Sequence, residues 1–438
     1  MDDPRRPNIV IIYADDLGAG DLGCFGADDI LTPHLDSLCR EGAKLSQWYS
    51  NSPVCSPSRA SLLTGRYPAH AGVESILGGS RRTPGLPPQP TLASQLRDRG
   101  YRTGLFGKWH LGADAAFAPS HYGFDETFGF RAGCVDYYSH IFYWGGHNPV
   151  HDLWSDDDEV WRNGEYLTTV IGERAADFIN RSAPGGPFFC YVPFNAPHYP
   201  MHAPAEHMAR VAHLPPGRRE TAAMITAMDD AVGDILGALE ESGARGDTLV
   251  LVSSDNGPSR ESRNWLDGEE VSYDGGSTGG LRGSKGSVFD GGIRVPGILT
   301  WPGRIPAGSE FDQAGMMMDV LPTILHAVDG TSDAEIGADG VSLLDALTTG
   351  AEVPERPLVW TYEGQCAVRR GRFKLVADAR EGMDPPATVS RAVYDLVADP
   401  EESVDISADA PEVAVTLEEA LAAYQRDAAR WGRELTSA

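Results

Sequence analysis

Residues 55 to 66 read Cys-Ser-Pro-Ser-Arg-Ala-Ser-Leu-Leu-Thr-Gly-Arg, and Cys55 is placed where a side chain could act on an anion. Pro57 suits the first turn of a helix and Gly65 its end, so Cys55 falls at a helix N-terminus. Unpaired N–H groups and the helix dipole favour negative charge there. Two other segments, Asp15-Asp16 and Asp255-Asn256, each follow an apolar run and offer hard oxygen donors. Four such positions suit Ca²⁺ or Mg²⁺. A site made almost wholly of protein oxygens leans to Ca²⁺, because Mg²⁺ keeps several waters. Other apolar runs lead to Lys108 and His110 and to Asn195 and His198. Lys285 lies in Gly283-Ser284-Lys285-Gly286, which lacks the Gly-Lys-Ser/Thr ending of a phosphate-binding P-loop.

The Cys-x-Pro-x-Arg core of Cys55, Pro57 and Arg59, continued through Thr64-Gly65-Arg66, resembles the signature of the type I sulfatases of the alkaline phosphatase-like superfamily. The similarity runs in order over roughly residues 7 to 345 and includes Phe289-Asp290-Gly291-Gly292-Ile293-Arg294-Val295-Pro296. Its look is closest to arylsulfatases and N-acetylgalactosamine-6-sulfatases. The resemblance implies that a formylglycine-generating enzyme oxidises Cys55 to formylglycine, whose hydrate attacks the sulfur of a sulfate ester. Deprotonating the second hydroxyl then expels sulfate by C–O cleavage, which replaces a second attack at sulfur with an easier step. It implies Ca²⁺ held by Asp15, Asp16, Asp255, Asn256 and the modified Cys55, polarising the sulfate and helping to ionise the hydrate. Lys108 and His110, in Gly-Lys-Trp-His-Leu-Gly, match the lysine and histidine that hold the hydrate, the histidine being the candidate base. His198, in Asn-Ala-Pro-His-Tyr-Pro, and Lys285 match groups that bind the sulfate and the leaving oxygen, while Arg59 stabilises the hydrate. Positive charge is thereby aimed at oxygens where negative charge develops.

Such groups need a scaffold that brings distant segments together. Asn8–Tyr13, Thr103–Phe106, Phe188–Val192 and Thr248–Val252 are unbroken apolar runs, as expected for strands of a sheet covered on both faces. Ligands of such sheets bind beyond the carboxyl ends of the strands, where the polar clusters would meet. Helical patterns intervene at Pro90–Arg99, closed by Gly100, and at Thr221–Glu241. The fold class expected is α/β: a large mixed, mainly parallel sheet flanked by helices, with a smaller C-terminal domain of antiparallel strands and a helix. The catalytic domain is expected over 1–350 and the smaller α+β domain over 351–438, which is short by the standard of the family. Four short strands around Pro357–Tyr362, Cys366–Arg369, Phe373–Val376 and Ala392–Leu396, then a helix from about Pro411 to Trp431, would form the latter. The acidic run Asp156–Glu159 reads as a solvated loop.

A net charge of −27 argues against nucleic acid and against a polyanion gripped along its length. A small pocket in which a few cations and a metal overcome the overall field fits better. No stretch approaches a membrane span. The N-terminus enters a strand directly, with no room for a signal peptide, so the chain as it stands is expected to be cytoplasmic, or periplasmic or secreted if a leader has been removed. Six scattered cysteines make no disulfide framework or zinc site. The loops 133–161 and 258–278 carry His147, His151, Trp154, Arg260, Glu261, Arg263 and Trp265, a mixture that suits a sugar. His147, His151, Arg260, Arg263 and Trp265 are the candidate substrate-binding residues. The expected substrate is a sulfated monosaccharide or glycan end, such as a 6-O-sulfated hexosamine or galactose. A phosphonate monoester or phosphodiester hydrolase with the same nucleophile is one alternative; an unmodified protein that binds glycan sulfates without turnover is another.

Overall fold

A computed structural model describes residues 6–79, 83–143, 149–260, 274–383 and 388–437, with side chains described as far as Trp431. Ten strands form the main sheet, in the order Ser309–Phe311, Ala43–Leu45, Gly297–Thr300, Thr248–Ser254, Asn8–Ala14, Phe188–Pro193, Arg102–Lys108, Glu126–Phe130, Trp154–Ser155 and Asp158–Glu159. The five from Thr248–Ser254 through Glu126–Phe130 all run parallel. Antiparallel partners close both flanks. This is the expected α/β class, a large mixed and mainly parallel sheet.

The central strands are apolar on both faces because both faces are covered. Val10 and Ile12 pack among Leu167, Val170, Ile171 and Phe178 of the helix Leu167–Ser182 and Ile225, Met228 and Val232 of the helix Arg218–Glu241. Ile9 and Ile11 face the other way, toward Ala60, Leu62 and Leu63 of the helix Cys55–Thr64 and the helices Leu92–Asp98 and Val320–Asp329. Each Ile, Val or Leu so enclosed contributes about 1.5–3 kcal/mol by burial, which anchors the strand ends that carry the polar groups.

The strands Leu358–Tyr362, Gln365–Arg370, Phe373–Ala379 and Val389–Asp395 form a separate antiparallel sheet, with the helix Pro411–Ser437 against it. Its core also takes in Tyr49, Val288, Phe289, Ile293 and Met316 from the larger part of the chain. The acidic run is exposed, as expected of a solvated segment, but Asp158 and Glu159 form a short strand and not a loop. Asp156 and Asp157 turn a tight hairpin whose arms are the last two strands of the main sheet. Asp156 takes φ 54° and its Oδ1 accepts the Thr127 N–H at 2.7 Å, so a carboxylate closes the turn and ties it to the neighbouring strand.

Candidate active site

Four parallel strand ends and one helix start build the site. Asn8–Ala14 runs into Asp15 and Asp16, and its neighbour Thr248–Ser254 runs into Asp255 and Asn256. Ala14 lies opposite Ser254, so register alone sets the two acidic pairs side by side. Arg102–Lys108 ends on Lys108 with His110 two residues on, and Phe188–Pro193 leads to His198. Gly107 permits this: a Cβ there would lie 1.9 Å from the Pro193 carbonyl oxygen, and its φ of 133° suits glycine alone. Asp16 and His110 adopt left-handed backbone, φ 65° and 54°, strain that surrounding packing must hold. Cys55 is the first residue of the helix Cys55–Thr64, every residue of which is buried, and Gly65 closes it with φ 69° and an N–H to the Ser61 carbonyl.

Charges in the cluster are tightly paired. Lys108 Nζ donates to Asp15 Oδ2 at 2.7 Å, and Lys285 Nζ to Asp16 Oδ2 at 2.9 Å. Arg59 sends Nε and Nη2 to Asp255 Oδ2, at 3.0 and 2.7 Å, and Nη1 to the Lys108 carbonyl at 3.2 Å. Asn256 Nδ2 donates to Asp16 Oδ1 at 2.7 Å, and His198 Nε2 stands 3.8 Å from Asp16 Oδ2. His110 Nε2 lies 2.9 Å from the Leu77 carbonyl, which can only accept, so Nε2 carries the proton and Nδ1 offers a lone pair. The same logic on the 2.6 Å contact between His198 Nδ1 and the Tyr199 carbonyl leaves His198 Nε2 as the acceptor.

Burial dominates the protonation behaviour. It pushes His198 down to about 3, with Lys285 adding to the effect, and pushes His110 well below the usual histidine range, helped by Lys108 and Arg59. Both rings are neutral at physiological pH. Burial also raises the Cys55 thiol, against the pull of Lys108 and Lys285, so the unmodified side chain is a poor thiolate nucleophile. Asp16 is held down to about 2: burial works against its charge, but Lys285 and His198 outweigh it. Asp15 goes the other way, pushed up to about 8 by burial despite Lys108.

The donor set fits a divalent cation. Asp15 Oδ1 and Asn256 Oδ1 are buried and have no hydrogen-bond partner among the described residues. Ligand atoms of Asp15, Asp16 and His198 lie within 4.8 Å of one another. With all three carboxylates ionised, as metal ligation requires of Asp15 as well, Asp15, Asp16 and Asp255 balance Arg59, Lys108 and Lys285, so the cluster alone would have no net charge with which to hold an anion. A divalent ion would supply it.

A model of the sulfatase family matches residues 7–331. The chain belongs to the sulfatase family. It is a sulfuric ester hydrolase with the alkaline phosphatase-like fold. The N-acetylgalactosamine-6-sulfatase of Sus scrofa is 34% identical over 397 residues, covering 85% of this chain and 72% of that protein. Arylsulfatase J of Mus musculus is 29% identical over 472 residues, covering 97% and 76%. Among solved structures, that of Ps i-CgsB superposes with a TM-score of 0.84 at 29% identity, covering 97% of this chain and 93% of the other.

The expected catalytic and metal positions of this sulfatase, Cys55, Arg59, Lys108, His110, His198, Lys285, Asp15, Asp16, Asp255 and Asn256, are all buried. The hydrogen bonds above link the strand-end groups directly, and Cys55 lies within electrostatic reach of Lys108, Lys285, Asp255 and Asp15. The proposed sugar-binding residues are less gathered. His151 is buried, with Nδ1 2.9 Å from Glu159 Oε1 and its ring stacked on Trp161 at 3.6 Å. Arg260 is exposed. His147, Arg263 and Trp265 lie outside the described residues, as does Glu261. Other groups steady the site without any sequence signal. The Tyr137 hydroxyl bonds the carbonyls of Asn195 and His198 at 2.7 and 2.8 Å, and Asp152 Oδ2 accepts the N–H groups of Arg131 and Ala132, beside Gly133, where a Cβ would meet His110. These partners are backbone atoms, on which a residue pattern is silent. Among the described residues no helix is long and apolar enough to cross a membrane.

Proposed function

We propose that this sulfatase frees inorganic sulfate from a sulfated monosaccharide or glycan end, such as a 6-O-sulfated hexosamine or galactose, through formylglycine made from Cys55 by a formylglycine-generating enzyme. The observation that carries the reading is Cys55 at the start of a buried helix, facing cations that are themselves paired with candidate metal ligands. Formylglycine, as its hydrate, supplies a hydroxyl nucleophile together with a second hydroxyl whose deprotonation releases sulfate. Ca²⁺, held by Asp15, Asp16, Asp255, Asn256 and residue 55, supplies Lewis acidity and the missing positive charge. The chain's own residues do the rest. Neutral His110, with its Nδ1 lone pair, is the base. Lys108 and Arg59 hold the nucleophile's oxygens, and Lys285 and, once its Nε2 has taken up a proton, His198 bind the sulfate and the leaving oxygen.

Support for a sugar comes from a relative named N-acetylgalactosamine-6-sulfatase and from the Ps i-CgsB structure solved with k-i-k-neocarrahexaose. His147, His151, Arg260, Arg263 and Trp265 are proposed to meet the sugar. The chain is proposed to divide near residue 350 into a catalytic and a smaller α+β domain.

The test is sulfate release from 2-, 3-, 4- and 6-sulfated monosaccharides by protein co-expressed with a maturation enzyme, with a phosphodiester in the panel. Release from one sugar, lost in Cys55→Ala and on chelation, is expected. Turnover that survives Cys55→Ala would sink the mechanism. Preference for the phosphodiester over every sulfate ester would mark a phosphorus-ester hydrolase, the activity named for a neighbour of 20% identity that shares the fold. Sugar-sulfate binding without turnover, despite confirmed aldehyde, would mark a binding protein.

A further inference from the structure

We infer that the C-terminal sheet is a working part of the active site, and that Gln365 is the positioning residue through which it holds Lys285. The inference rests on the reading that Lys285 acts on the bound ester, and it starts from a turn. Tyr362 and Gln365 face each other across the hairpin of Leu358–Tyr362 and Gln365–Arg370, joined by Glu363 and Gly364. Both turn residues have positive φ, 45° and 87°, the backbone of a tight two-residue turn matched to strand twist. Such a turn is rigid, so the side chains at its base are delivered at a fixed position.

Gln365 is buried, and both polar atoms of its amide are hydrogen-bonded. Nε2 donates to the Gly286 carbonyl at 2.7 Å, and Oε1 accepts the Arg380 N–H at 2.9 Å. Gly286 directly follows Lys285 and joins three segments. Its N–H donates to the Pro53 carbonyl at 2.9 Å, two residues before Cys55, and the Lys285 N–H donates to the Pro258 carbonyl at 3.0 Å, just beyond Asp255-Asn256. Gly286 takes φ 84°, and a Cβ there would lie 2.6 Å from Met383 Sδ, so the loop is also pressed from the C-terminal side. The remaining contacts repeat the pattern. Ser284 Oγ donates to the Glu381 carbonyl at 3.2 Å, Ser287 Oγ to the Arg380 carbonyl, and Arg282 Nη2 to Glu381 Oε1 at 2.7 Å.

Residues 282 to 287 are therefore held by the nucleophile segment on one side and, on the other, by Gln365 of the C-terminal sheet and by Arg380, Glu381 and Met383 just after its strand Phe373–Ala379. Lys285 has a long flexible side chain, and its ammonium reaches Asp16 at 2.9 Å from this clamped backbone. Fixing the backbone removes freedom that the side chain would otherwise lose on meeting the transition state. The Tyr362 hydroxyl, at the same hairpin, lies within electrostatic reach of Cys55 and Lys285, so the hairpin is near the reacting centre as well as near the loop.

The test compares Gln365→Met, Lys285→Ala and the double variant in the full chain carrying formylglycine. Two substrates are used: the preferred sugar sulfate and an aryl sulfate whose leaving group needs little help. Gln365→Met, similar in volume but without the amide, is expected to lower kcat/KM on the sugar sulfate by roughly tenfold or more, with a smaller loss on the aryl ester. In the double variant little should be lost beyond Lys285→Ala alone, because Gln365 acts through Lys285. Ser284→Ala, which loosens the same clamp more mildly, should lose a few-fold in the same direction. Independent, multiplying losses for Gln365→Met and Lys285→Ala, or wild-type turnover in Gln365→Met, would overturn the positioning role. Wild-type turnover in Lys285→Ala would instead overturn the underlying assignment of Lys285.

Discussion

Arg59 has the heaviest electrostatic duty of any single residue in the site. Its guanidinium makes two hydrogen bonds to Asp255 Oδ2, reaches the Lys108 carbonyl and lies 3.6 Å from Asp15 Oδ1, all without exposure to solvent. Removing one partner of a buried pair leaves a charge with neither water nor counter-ion, at a cost of about 3–5 kcal/mol. Arg59→Leu should therefore lower the urea midpoint by that much stability, and an unchanged midpoint would contradict the pairing. Arg59→Lys should cost less but not zero, because a point charge cannot span Asp255 and the Lys108 carbonyl together. Asn256 is the complementary case. Its Nδ2 is spent on Asp16 and the Gly257 carbonyl while Oδ1 is left without a partner among the described residues, the arrangement of a neutral metal ligand. Asn256→Ala should weaken Ca²⁺ binding by roughly ten- to a hundredfold, the loss that even outer partners of a metal bring. Calorimetric titration of the metal-free protein with Ca²⁺ gives the answer without any assay of turnover, and an unchanged affinity would remove Asn256 from the ligand set.

The elements are joined by a second buried charge group, of which only Asp290 lies in a segment of family resemblance, Phe289–Pro296. Lys374 Nζ, on the C-terminal sheet, lies 2.7 Å from Asp290 Oδ1 and 2.8 Å from Glu402 Oε1, and Glu402 Oε2 also accepts the Asp290 N–H at 2.6 Å. Two carboxyls share one lysine. Burial, with Asp290 adding to it, pushes Glu402 up to about 7. A carboxyl raised above its ordinary 4.5 binds its proton more tightly folded than unfolded. Stability from this group is therefore fully present below about pH 4.5 and is lost as pH rises through 7, by about 3 kcal/mol in all. Glu402→Gln should flatten the fall in urea midpoint between pH 5 and 8, whereas an unchanged slope would assign the proton elsewhere. Lys374→Met, which abandons both carboxyls, should cost about 3–5 kcal/mol. This group also shows what a sequence can disclose. The central strands were legible because an apolar run covered on both faces leaves a signature of composition, and the polar groups at their ends follow from chain direction. The helices were legible to within a few residues: Leu92–Asp98 inside Pro90–Arg99, and Arg218–Glu241 against Thr221–Glu241. Gln365, Tyr137 and the Lys374 group were not. Each acts on partners tens of residues away, often backbone atoms, and no local spacing records such a meeting.

At the scale of the whole molecule, a net charge of −27 surrounds a site that must receive an anion. With Asp15, Asp16 and Asp255 ionised around a metal, the cations of the site are paired with them and contribute little to the field far from the pocket. A sulfate ester approaching from solution consequently meets repulsion until it is close, and the Debye length, about 10 Å at 0.1 M salt, sets how far that repulsion extends. Raising ionic strength from roughly 0.02 to 0.2 M shortens the screening length to less than half. The expected outcome is a rise in kcat/KM with salt, a few-fold for a singly sulfated sugar and steeper for a multiply sulfated oligosaccharide, because repulsion grows with substrate charge. Steady-state rates at matched Ca²⁺ and several NaCl concentrations measure it, with Na⁺ exchanged for a bulky cation to exclude specific binding. A fall with salt would mean that a local basic surface steers the substrate in spite of the net charge. The contrast between the two substrates separates this field effect from chemistry at the pocket, since the reacting sulfate is the same in both and only the distant charges differ.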